Sequence, residues 1–147
     1  MLVLHTLCSL LSYVAFLVAF LSGLLFLIQE RQLKQKHMGL LFRHLPPLQG
    51  LDRMNFLSIG IGFLLLSIGL ALGLWSSHVM LGTWWNWDPK ELLAVVLWAA
   101  YLVLWVLRLR ATLRGRKVAL LSILGFTLVL FTFLGVRWWL PTWHAYL

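Results

Sequence analysis

The side chains in this chain that can do chemistry are few, and they are grouped. Between residues 82 and 91 the sequence reads Gly-Thr-Trp-Trp-Asn-Trp-Asp-Pro-Lys-Glu, with Trp84, Trp85 and Trp87 inside four positions. Tryptophan rings present large flat apolar faces, which suit stacking against a planar ligand. The chain has 5 histidines, at positions 5, 37, 44, 78 and 144. A neutral imidazole is both a metal ligand and a proton carrier near neutral pH. The single cysteine, Cys8, lies inside an apolar run, so neither a disulfide framework nor a CxxC redox pair can form within the chain.

The elements that must position these groups are set by composition. Of 147 residues, 62% are hydrophobic and only 11% are charged. A soluble domain of this length has too high a surface-to-volume ratio to hide so much apolar area, so the bilayer must serve as its solvent. A helix needs about 20 apolar residues to cross the roughly 30 Å hydrocarbon core. Four runs meet that length: Leu4–Ile28, Phe56–Trp75, Leu92–Leu107 with its flanks, and Val118–Val136. The fold class expected is therefore all-α, an integral membrane bundle of four transmembrane helices in a single domain over residues 1–147. The first run reads as a span and not as a signal peptide. It lacks a basic leading segment and ends at charged Glu-Arg-Gln-Leu-Lys-Gln-Lys instead of a small-residue cleavage site. Gly69 and Gly73 have the GxxxG spacing that lets membrane helices approach closely, a common pattern in such segments.

The net charge of +8 raises the question of nucleic acid, but the basic residues sit in loops between apolar runs, without an interleaved soluble aromatic face. No nucleic-acid partner is expected. Arg31, Lys34, Lys36, Arg43 and Arg53 lie between the first two runs, and Arg108, Arg110, Arg114, Arg116 and Lys117 between the last two. Only Lys90 and Arg137 fall on the other side. Positive charge favours the cytoplasmic loops, so both termini and the tryptophan segment are expected outside, together with His5, His78 and His144. Glu30 and Asp52 are expected to balance their neighbours Arg31 and Arg53.

The tryptophan segment also carries a helix start. Asp88 suits an N-cap, Pro89 the first helical position, and Glu91 stands three residues after the cap, as in a capping box. Two readings of the rings stand side by side. An aromatic belt at the headgroup level accounts for Trp75, Trp98, Trp105, Trp138 and Trp139, or these are plain packing residues. Three rings in four positions make a more concentrated surface than a belt needs. His5 and His144 fall at the outer ends of the first and last spans, on the face of the tryptophan loop. As a pair they form a bis-imidazole site for haem iron; singly, each is an ordinary polar residue at a helix end. Arg137 either pairs with a haem propionate or anchors the helix at the interface. His78 is a reserve ligand or a loop residue.

On these residues the sequence resembles the CcsA/ResC family of cytochrome c assembly, with its HemX-like relatives. The family's tryptophan-rich WWD signature runs approximately W-G-[ST]-x-W-x-W-D-P-K-E. Leu81-Gly82-Thr83-Trp84-Trp85-Asn86-Trp87-Asp88-Pro89-Lys90-Glu91 follows it, with Leu81 in place of the leading tryptophan. The segments around His5, from Leu51 to Leu70, and from Leu134 to Tyr146 resemble the family's flanking spans, so the likeness covers essentially the whole chain.

The resemblance implies that His5 and His144 are the axial ligands of a haem b taken as ligand and substrate. It implies that Gly82, Trp84, Trp85, Trp87 and Asp88 hold that haem, with Arg137 on its propionate side. It further implies a multi-pass protein of the cytoplasmic (inner) membrane that presents haem for thioether attachment to apocytochrome c, within a cytochrome c synthase (haem lyase) complex. The implied partners are a CcsB/ResB-like membrane protein and a thiol-reducing thioredoxin-like protein. The family's histidine in the helix after the motif has no counterpart around Val106, and family members carry further spans before the His5 region. The chain is accordingly expected to be a compact or split member, or to need a partner to complete its channel. Two other functions fit the same resemblance: a HemX-like regulator of haem biosynthesis, and the membrane subunit of a haem exporter.

Overall fold

Small residues decide how the apolar runs meet. The computed structural model describes residues 2–36, 44, 46–110, 115–135 and 138. They form α1 (Leu2–Lys34), α2 (Leu48–Leu81), α3 (Pro89–Leu109) and α4 (Arg116–Leu130), the last continuing into a π turn over Phe131–Gly135. All four helices are long and apolar enough to cross a membrane, and leucines such as Leu11, Leu64 and Leu124 point outward. In lipid an outward leucine costs nothing, whereas every backbone N–H must be bonded inside its own helix. The expected four-helix membrane bundle is therefore the architecture observed.

Helices consecutive in the chain pair antiparallel, as do the first and last. Along the α1–α2 seam, Phe16 meets Gly62, Ser9 meets Gly69 and His5 meets Gly73. A Cβ added at Gly62 would sit 2.6 Å from the Phe16 ring, so the two helices approach more closely than any side chain at 62 would allow. The other face of Phe16 stacks on Tyr101 of α3, with centroids 3.7 Å apart. The Tyr101 hydroxyl in turn lies against Gly125 of α4. One layer thus links all four helices through two aromatic rings and two glycines. On α2 and α3, the Trp98 indole donates to Ser67 Oγ at 2.8 Å and Trp105 packs over Gly60. Both rings lie beside Phe63. Trp98 and Trp105 are packing residues.

A buried polar cluster lies nearer the basic end of the bundle. Asn55 Nδ2 donates to the Ala19 carbonyl at 2.8 Å and to Ser122 Oγ at 3.0 Å, joining α2 to α1 and α4. Gly23 makes room beside it, against the backbone of Ala119.

The helices overrun the spans expected from hydropathy at almost every end, because a hydrogen-bonded helix does not stop where the hydrocarbon does. α2 begins eight residues before Phe56, directly after Pro47, and ends only where Gly82 turns left-handed. At the basic end two ion pairs differ from expectation. Asp52 bonds Arg108 across α2 and α3, and Glu30 bonds Lys34 one turn along α1 at 2.9 Å. Arg108 also lies 5.4 Å above the Phe56 ring. Facing residues on neighbouring helices, and the i,i+4 neighbour on the same helix, are nearer than residues adjacent in sequence, whose side chains diverge.

Asn55→Leu should remove the interhelical hydrogen bonds to Ala19 and Ser122 and destabilise the bundle by about 0.6–2 kcal/mol. Reversible unfolding in mixed micelles, followed by tryptophan fluorescence, measures that loss.

Candidate functional site

The tryptophan loop is built on the end of α2. Gly82, at φ 72°, ends the helix, and its N–H bonds the His78 carbonyl at 3.0 Å. A Cβ at Gly82 would meet nothing within 4 Å, so backbone conformation and not space calls for glycine there. His78 belongs to the last turn of α2 and is not a loop residue. Its ring stacks on Trp84, with centroids 4.1 Å apart and planes 9° from parallel.

Ser77 is the hub that holds the loop to the helix. It is buried, donates to the Thr83 carbonyl at 3.1 Å, and accepts from Asn86 Nδ2. Asn86 Oδ1 in turn accepts from the Thr83 hydroxyl. Beyond this knot Asp88 caps α3 as expected, its Oδ1 accepting from the Lys90 N–H at 3.0 Å, with Pro89 at the first helical position. Glu91 departs from the capping-box geometry. Its carboxylate accepts from the backbone N–H of Asn86 at 3.1 Å, two residues ahead of the cap, and so ties the loop to α3. Asn86, the polar residue among the tryptophans, is therefore the one most heavily engaged.

These bonds leave the rings displayed. Trp87 is 75% exposed and Trp84 55%, while Trp85 is half-buried and meets Trp87 edge-on. Trp87 holds a left-handed backbone at φ 54°, which costs a residue other than glycine about 1–2 kcal/mol. Asp88 is buried, and its carboxylate works at the helix start.

His5, near the start of α1, lies at the same end and is half-buried against α2. Its Nδ1 is 2.6 Å from the Gly69 carbonyl. A carbonyl can only accept, so Nδ1 carries a proton, and in the neutral ring the lone pair is on Nε2. Gly69, Gly73 and Ser77 recur at four-residue intervals and share one ridge of α2. The first two touch His5 and the third holds the tryptophan loop. One helical turn, about 5–6 Å, separates the two contacts along the axis. His144 and Arg137 lie outside the described residues, as does His37, and His44 is exposed.

Comparisons with known proteins identify the family. The family model described as "Cytochrome C assembly protein" matches residues 1–144. The chain belongs to the cytochrome c assembly family. It is 42% identical over 97 residues to a "Cytochrome c biogenesis protein CcsA" of Prochlorococcus marinus strain MIT 9301, which covers 65% of this chain and 31% of that protein. The protein of the same description in strain NATL1A is 40% identical over 88 residues, covering 59% and 28% of the two chains. The chain thus spans less than a third of the length of these CcsA relatives. No solved structure matches it. With four apolar helices, this member of the cytochrome c assembly family is a multi-pass membrane protein.

Sequence reasoning did not find Ser77, and it read Gly69 and Gly73 as a packing pair without their contact to His5. The signal was present as small residues at positions 69, 73 and 77 of α2, extending the GxxxG pair by one step.

Ser77→Ala removes one donor and one acceptor that the loop uses, at a cost of about 1–3 kcal/mol to loop closure. Backbone amide exchange at residues 83–86 should accelerate by roughly ten- to hundredfold while the helices keep their protection, as hydrogen-exchange mass spectrometry will show.

Proposed function

We propose that the chain binds haem b at the end of the bundle that carries the tryptophan loop and presents it for covalent attachment to apocytochrome c. The observation that carries this reading is His5. Its proton is committed to the Gly69 carbonyl, and the basic Nε2 remains for iron, on the ridge that also seats the exposed tryptophans. Metal-ligating histidines commonly donate their second ring nitrogen to a backbone carbonyl in this way.

The residues fit the group. His5 would supply one axial imidazole, and His144, at the outer end of the last span by sequence, the other. Trp84 and Trp87 offer flat exposed faces for the porphyrin, Trp85 buttresses Trp87, and Gly82 and Asp88 fix the two ends of the loop that displays them. Arg137 would neutralise a propionate. When bound, haem supplies the vinyl groups that receive cysteine thiols; the protein contributes binding, orientation and shielding.

The basic end of the bundle, with Arg31, Lys34, Arg108, Arg110 and Arg116, faces the cytoplasm in this reading. Both termini and the haem site are then extracytoplasmic, in the cytoplasmic membrane, with residues 1–147 acting as one membrane domain. A CcsB/ResB-like membrane protein and a thiol-reducing thioredoxin-like protein are the partners that attachment requires. The first completes the membrane assembly, and the second keeps the receiving cysteines reduced.

Purified protein reconstituted with haem should give a low-spin spectrum that His5→Ala combined with His144→Ala abolishes; an unchanged spectrum in the double variant would overturn the ligand assignment. Trp87→Gly fits the left-handed backbone and should leave the fold intact. Loss of its ring should weaken haem binding by roughly two- to tenfold in an absorbance titration.

A further inference from the structure

The α2 backbone touches His5 in two ways, at one atom and along one edge. The Gly69 carbonyl takes the proton of Nδ1. One turn further on, a Cβ at Gly73 would stand 2.8 Å from Cε1 and 3.0 Å from Nδ1, against 3.6 Å from Nε2. The Nδ1–Cε1 edge of the ring therefore lies directly on the bare backbone at Gly73, with Nε2 the ring nitrogen farther from it. Real Cβ atoms do not approach heavy atoms so closely, so any side chain at 73 would push the imidazole aside. Gly69 is also tight, though less so, because a Cβ there would sit 3.0 Å from the Ser9 hydroxyl, one turn along α1 from His5.

We propose that Gly69 and Gly73 are positioning residues for His5. The α2 backbone sets the tautomer through the Gly69 carbonyl and the tilt of the ring through the missing side chain at Gly73, so that Nε2 is held ready as the ligating nitrogen before any ligand arrives. A hydrogen bond from Nδ1–H to a carbonyl also raises the basicity of Nε2. The value of this arrangement to haem rests on the function proposed above; the arrangement itself does not. A ring already fixed in tautomer and tilt loses little rotational freedom on ligation, which is the general gain from preorganisation. The glycine pair thus combines close helix packing with a seat for one particular side chain.

The test separates positioning from packing with two glycine variants on the same seam. Gly62→Ala places a Cβ 2.6 Å from Phe16, remote from His5, and Gly73→Ala places one against the imidazole. Full-length protein labelled with 15N-histidine is measured in detergent without haem, and the His5 signals are identified by their loss in His5→Ala. The wild type should show a protonated Nδ1 and an unprotonated Nε2 for His5. Gly62→Ala should keep that signature although it loosens the bundle, and Gly73→Ala should lose it. An Nε2-protonated wild type, or equal behaviour of the two variants, overturns the proposal. On haem addition, affinity should fall roughly ten- to hundredfold in Gly73→Ala, with a weakened low-spin band, and change little in Gly62→Ala. A wild type that takes up no low-spin haem defeats the proposed function, while the tautomer measurement still decides the role of the glycines.

Discussion

The α2 backbone meets side chains of α1 at a distance that only glycine permits, and the rest of the molecule is arranged around that contact. Between helices in lipid there is little hydrophobic drive, because the acyl chains are as apolar as leucine; dispersion at close range and buried hydrogen bonds must do the holding. Gly62 admits the Phe16 ring, Phe16 stacks on Tyr101, and Tyr101 reaches Gly125, so the seam between two helices propagates to all four. Asn55 reinforces it with bonds to α1 and α4. At the far end the same closeness puts the carbonyl of Gly69 within reach of His5.

The tryptophans among the described residues divide by what their rings are asked to do. Trp98 and Trp105 are spent on packing, one with its N–H bonded to Ser67. Trp75 faces outward near the end of α2 and Trp138 is exposed, as an interfacial belt would have them. Trp84 and Trp87 are exposed for a different reason. They sit in a loop whose polar groups are consumed by Ser77, Thr83, Asn86 and Glu91, which leaves the rings as its free surface. The left-handed Trp87 shows the cost of that display, since its backbone takes a conformation that glycine would hold without strain.

Much of this was legible in the chain. Apolar run length specified four helices, the Asp-Pro start of α3 was plain from residue type, and the charge partition matched the two ends of the bundle. What escaped were the particular partners that polar side chains choose. Asp52 finds Arg108 and not its neighbour Arg53, and Glu91 reaches back to Asn86 and not to the cap, because neither partner is encoded in periodicity. Ser77 resembled any serine near a helix end. Its role follows only from the way the chain turns at Gly82 and brings Thr83 and Asn86 back over it. The GxxxG pair was visible but too common to interpret alone; it became informative when His5 was found lying on it.

The ridge of Gly69, Gly73 and Ser77 also makes α2 a gauge of length. Side chains elsewhere on the helix can vary while the histidine and the tryptophan loop keep their relation, because that relation is held by the count of residues between 73 and 77. One residue gained or lost there would turn everything beyond it by about 100° around the helix axis. The loop would then point away from the histidine although every residue of the motif was present. Substitutions test such a site piece by piece, whereas a single insertion or deletion would take it apart at once.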